Sequence, residues 1–229
     1  MDSGSGLPAK TIYYRPAFKS GMRFLENRLI NLSGIEIRAI LSVCLLYMIR
    51  MLGLFMVIPV LPLMANDLRG ATALLTGIAL GIYGLSQAVL QIPLGILSDH
   101  IGRKPVIFAG LMVFVAGSFL AASTDSIYGV IAGRFLQGMG AIASTLMALV
   151  SDLTRLENRT PAMMMVGLSI GGTFFLSLVL GPWLGSLGGL AAIFLSCGFL
   201  GLIGMAVALF VIPSARMHIS PETGLFADR

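Results

Sequence analysis

Four ionisable side chains fall within six positions of this chain: Asp99, His100, Arg103 and Lys104, in the stretch GILSDHIGRKPV from Gly95 to Val106. An acid and a base four residues apart can pair across the end of a helix. Gly102 supplies the tight backbone and Pro105 follows it, so the pair sits at a stop between two helices. His100 offers an imidazole, the side chain whose charge changes nearest neutral pH, or is simply a solvated loop residue. Two more cations, Arg50 and Arg134, stand inside apolar runs, where an arginine costs about 2.5–3.5 kcal/mol on insertion scales. Each must face a cavity or a partner. Arg50, with Gln87 and Gln91, is a candidate contact for a substrate in a cavity. For both arginines the alternative is a hydrogen-bonded tie between helices, with Gln87, Gln91 or Gln137 as partner. Cys44 and Cys197 lie in separate apolar runs and give no metal spacing and no disulfide framework.

These residues must be positioned in an apolar solvent. The chain has 229 residues, 57% hydrophobic and 11% charged, with mean hydropathy +0.94; soluble domains carry roughly 25% charged residues. Its 28 glycines suit closely packed membrane helices. A net charge of +5 in such a chain marks loops on one membrane face rather than nucleic-acid binding. Residues 1–38 form a basic N-terminal arm. Within it Phe18, Met22, Leu25, Leu29 and Leu32 recur at helical spacing, as in an interfacial amphipathic helix; a lead-in without structure is the alternative. Residues 39–212 hold six apolar segments, 39–65, 72–97, 105–123, 127–153, 161–186 and 190–212, each near the 20 residues a spanning helix needs. Residues 213–229 follow as a polar tail.

Loop charge orients the bundle. The arm, loops 2–3 and 4–5 and the tail share one face, and lysine plus arginine favour that face twelve to one, with Arg69 alone opposite. Positive charge stays inside, so both termini are expected in the cytoplasm. The six segments read as three plus three. Segments 1 and 4 carry one arginine each (RMLGLF and RFLQGMG), while segments 2 and 5 pair glycine with proline (LQIPLG and LVLGPWLG). Inverted repeats of this kind build many transporters. The fold expected is therefore all-α integral membrane, six transmembrane helices as 3+3 inverted repeats.

GILSDHIGRK resembles the loop 2–3 signature of the major facilitator superfamily, G-x-x-x-D-R-x-G-R-R/K. Gly95, Asp99, Gly102, Arg103 and Lys104 match, and His100 replaces an arginine. GRFLQGMGAIA resembles the family's helix 4 signature through Arg134, Gln137, Gly138 and Gly140. Gly138, Gly140 and Ala143 also mimic a dinucleotide fingerprint, but that motif needs a strand and a βαβ unit. LSLVLGPWLGSLGG resembles the helix 5 antiporter signature through Gly181, Pro182 and Gly185, with Ser177 and Ser186 at its outer glycine positions. SDLTRLENRTPA resembles the family's loop 4–5, with Asp152 able to reach the Arg103 cluster. Together with helix 1, these motifs look closest to the YajR-like branch of bacterial drug:proton antiporters.

That resemblance implies an N-terminal six-helix half of a twelve-helix fold in the bacterial inner membrane, with residues 213–229 as the truncated start of its central cytoplasmic loop. Loop 2–3 would act as a gate. The function implied is proton-coupled efflux of small, drug-like molecules by alternating access. The driving force would be the proton gradient, with no cofactor and no metal. The partners expected are the bilayer, a small-molecule substrate and a second six-helix half or a second copy of the chain. A truncated, non-transporting remnant or scaffold that pairs with a full-length carrier is the alternative. An enzyme is not expected, because the spans hold no histidine and no serine with a nearby base. No aspartate or glutamate lies at mid-span, so a coupling carboxylate would come from the rim or from the other half.

Overall fold

A computed structural model describes residues 33–212; the tail and residues 1–32 of the arm lie outside the described residues, whereas 33–38, read as the end of the arm, cap and open the first helix. The described residues open on a capping box. Ser33 Oγ accepts from the Glu36 backbone N–H at 3.3 Å, and Glu36 Oε2 accepts from the Ser33 N–H at 2.8 Å, which starts α1 (Gly34–Phe55). After Met56 the chain continues as α2 (Val57–Met64) and a short 3-10 turn (Ala65–Asp67). Pro59 has no N–H to give Phe55 O, which accounts for the interruption. Thr72 caps α3 (Ala73–Ile101) by accepting from Leu75 N–H at 3.2 Å. Gly102, at φ 98°, is in a backbone region that L side chains avoid, and it turns the chain into α4 (Arg103–Ala122).

The expected fourth segment is two helices, α5 (Ile127–Met139) and α6 (Ala143–Leu153), with the ladder interrupted at Gly140–Ile142. The expected fifth and sixth segments are joined as α7 (Arg159–Phe210), which is non-helical inside at Gly188 and Gly189 (φ 64°), where two helices meet across a kink. By length and hydropathy, five helical stretches can cross a membrane among the described residues, the last of them spanning this kink.

Small residues let these helices touch backbone to backbone. A Cβ on Gly133 of α5 would stand 2.7 Å from Gly117 O of α4, and one on Gly181 of α7 would stand 2.6 Å from Met56 O. Apolar side chains fill the centre, among them Val57, Leu61, Phe114, Ile127 and Phe194, all without exposure. Gly133→Ala is therefore expected to lower unfolding free energy in micelles by about 1–3 kcal/mol, the usual range for overpacking. Gly167→Ala, at an open position, should leave it unchanged in the same denaturant titration.

Candidate functional site

The interior polar cluster is built on two arginines and one tyrosine. Arg134 of α5 is fully buried. Its guanidinium donates to Gly53 O (3.2 Å), to Gln137 Oε1 (3.2 Å) and to Ala79 O (3.4 Å). Gln137 passes the chain on by donating to Ser118 Oγ (2.8 Å), which donates to Phe114 O (2.7 Å). One arginine thus stitches α5 to α1, α3 and, through Gln137, α4. Its remaining terminal nitrogen has no hydrogen-bond partner, and the guanidinium carbon lies 4.6 Å from the Tyr83 ring centre.

Arg50 of α1 is 3% exposed. It donates to Tyr83 Oη (3.0 Å), to Gln87 Oε1 (3.1 Å) and to Gly140 O. Gly140 is where α5 stops, so a cation occupies the negative end of that helix and satisfies a carbonyl the interruption leaves without a helical partner. The Arg50 guanidinium carbon also lies 5.4 Å from the Phe114 ring centre. Gln91 offers no side-chain bond to either arginine in this arrangement; its backbone carbonyl accepts from Ser144 Oγ at 2.8 Å. Among the described residues every acid stands near a helix end or in a loop: Glu36, Asp67, Asp99, Asp125, Asp152 and Glu157. The two buried cations are held by neutral acceptors and aromatic faces.

The glycines singled out from the sequence serve close approach. A Cβ on Gly138 would collide with Tyr83 O and Ser86 Oγ of α3, and one on Gly140 with Gly110 O of α4. Gly185 lies against Val60, where a Cβ would stand 3.0 Å from its side chain. With Gly181 on Met56 and Pro182 beside it, the helix 5 signature packs on the α1–α2 junction. Gly95 faces Ser144, where a Cβ would stand 3.1 Å from the hydroxyl.

At one end of the bundle the charged hairpin closes around Arg103. Its guanidinium pairs with Asp99, donates to Asp152 Oδ2 at 3.0 Å and donates to Ser98 Oγ at 2.7 Å. Asp99 and Asp152 remain half-exposed, 56% and 44%, while Arg103 is 18% exposed. Pairs this open contribute about 0.2–1 kcal/mol each, so they hold a conformation without locking it. Lys104 Nζ donates to Leu209 O (2.7 Å) and Ile212 O (3.3 Å), closing the end of α7 with a cation. His100 is exposed, with Nδ1 2.9 Å from Ile96 O. The opposite end has an open cavity of about 410 Å³ bordered by Pro62, Asn66, Thr72 and Thr76. No residue singled out from the sequence lines it.

Sequence reasoning passed over Glu36. It is 3% exposed and accepts from Arg155 N–H (2.9 Å), Asn158 Nδ2 (3.1 Å) and the Arg155 guanidinium (3.3 Å), besides its capping bond. The signal was available in Ser33-x-x-Glu36, a capping box before an apolar run.

Apolar helices tied by buried guanidinium groups, with an ionic hairpin at one end, define a multi-pass membrane protein. Residues 43–227 match the Major Facilitator Superfamily, and the chain belongs to that family of transporters. It is 51% identical over 191 residues to the inner membrane transport protein YajR of Escherichia coli, covering 83% of this chain and 42% of that protein. An uncharacterized transporter of Buchnera aphidicola is 42% identical over 189 residues, covering 82% and 48%. The class H tetracycline resistance protein of Pasteurella multocida is 30% identical over 153 residues, covering 66% and 37%. The chain spans less than half the length of these relatives. Its apolar helices and its inner-membrane relative make it a multi-pass inner-membrane protein.

Replacing Arg134 by methionine removes three donated bonds at once. The buried side-chain oxygen of Gln137 loses its donor, which costs about 1–3 kcal/mol, so the variant should unfold at distinctly lower denaturant in micelles. Unchanged unfolding would show that Arg134 is not a tie between helices.

Proposed function

We propose that this chain is a six-helix unit of a proton-coupled exporter of small amphipathic molecules, working by alternating access with a second such unit. The observation that carries this reading is Arg103, held between Asp99 of loop 2–3 and Asp152 beside loop 4–5. Ion pairs of modest strength between two loops suit a gate that must open and close in each cycle. The lysine and arginine distribution favours a cytoplasmic position for that gate and for both termini. In the topology we propose, α7 crosses twice, once on each side of its kink, and the crossings are organised as three plus three. Arg50 and Arg134 then occupy comparable places in the two repeats. Relatives whose names denote drug resistance, such as the tetracycline resistance protein and the multidrug resistance protein MdtL of Klebsiella pneumoniae, support export.

Two helix faces support pairing with a second unit. A Cβ on Gly77, Gly81 or Gly84 of α3, or on Gly167, Gly171 or Gly172 of α7, would meet nothing within 4 Å. Small open faces of this kind admit close helix packing. A second copy or a different six-helix unit could occupy them, and either could bring the carboxylate for proton coupling. Within this chain the candidates are Asp99 and Asp152 at one rim and Asp67 and Asp125 at the other. Arg50 and Gln87 are its candidate substrate contacts, with Gln91 nearby in sequence on α3.

The test is energised transport of a lipophilic dye in inverted membrane vesicles, with the chain expressed alone and with a second unit. Asp99→Asn and Gly102→Leu should both reduce transport to background while membrane insertion stays normal. Normal transport by both variants would remove the gate assignment. No transport under either expression condition would favour a non-transporting role.

A further inference from the structure

Loop 4–5 and its flanks meet two different helices within a few residues. Asp152 pairs with Arg103 at the start of α4, while Arg155 and Asn158 donate to Glu36 in the first turn of α1. Between these points the backbone is held short and tight. Thr154 Oγ1 donates to Val150 O, Asn158 N–H donates to Arg155 O at 2.8 Å, and Arg159 Nε donates to Ser151 O at 3.1 Å. Glu36 has two oxygens and four donors converging on them, and the anionic carboxylate accepts all four. Asn158 is itself 4% exposed, so this contact is an interior one. Removing the carboxylate leaves the Arg155 N–H and the Asn158 amide without their acceptor and frees the loop to shift.

We propose that Glu36 is a positioning residue for the ionic hairpin: by anchoring loop 4–5 to α1, it sets where Asp152 stands against Arg103. The inference rests on reading that hairpin as a gate. Glu36 does not touch Arg103; it acts through the tightened segment from Asp152 to Asn158. Movement of the gate is thereby coupled to the start of α1.

The experiment uses the whole chain in nanodiscs, in a Cys44→Ala, Cys197→Ala background, with nitroxide labels on His100→Cys and Leu156→Cys, both exposed positions. Pulsed dipolar spectroscopy then reads the distance between loops 2–3 and 4–5. Glu36→Leu, which leaves no acceptor at that position, should widen that distance distribution as Asp152→Asn does, and the two together should widen it no further than either alone. An unchanged distribution in Glu36→Leu, or widening that adds to that of Asp152→Asn, overturns the proposal. If Glu36→Leu does not insert, Asn158→Ala removes one donor while sparing the cap, and the same criteria apply. Dye transport by Asp99→Asn separates the two layers. Transport retained there sinks the gate itself, whereas lost transport with unchanged loop distances in Glu36→Leu sinks only the role of Glu36.

Discussion

The guanidinium of Arg134, fully buried among helices, is bonded only to neutral oxygens: two main-chain carbonyls, Gly53 O and Ala79 O, and the amide of Gln137. In an apolar medium a charge survives only where donors and acceptors are matched at close range. That requirement dictates much of the bundle. To bring main-chain carbonyls of α1 and α3 to one side chain of α5, the helices must approach closely, and Gly138 permits it against α3, while Gly133 seats α5 on α4. Arg50 imposes the same demand from α1, reaching Tyr83, Gln87 and the open carbonyl of Gly140. Both arginines lie against the Tyr83 ring, at 5.9 and 4.6 Å from its centre. The sets of residues that look like two separate signatures are one interlocked polar core.

The hairpin end obeys different energetics. Asp99 and Asp152 are half in water, so their pairs with Arg103 are weak and exchangeable. Glu36 and Asn158 are buried and bonded to each other, with the more exposed Arg155 completing the cluster, and the Lys104 contact to the end of α7 reaches main-chain carbonyls. Rigid interior ties thus stand beside exposed, exchangeable pairs, at Arg103 and, on the opposite end, between Arg69 and Asp125. Such a division of strengths is what the gate proposed above requires.

Hydropathy alone determined that the chain lies in a membrane and where its apolar segments run, because a spanning helix must exclude charge over a fixed length. Local spacing determined the Asp99–Arg103 pair and the turn at Gly102, since residues four apart meet on one helix face and a positive φ demands glycine. The family motifs in turn drew attention to Asp152 and Gln137. Gln87 and Gln137 were legible as partners of the buried arginines; the tertiary structure alone decided the arginines' other contacts. Half of their acceptors are carbonyls, of Gly53, Ala79 and Gly140, and a backbone oxygen looks the same at every position of a sequence. It also decided that the fourth segment is interrupted at Gly140–Ile142, where no proline marks the place, and that Glu36 meets a loop more than a hundred positions away. Contacts made through the main chain or across that distance leave no local pattern; they exist only once the helices are packed.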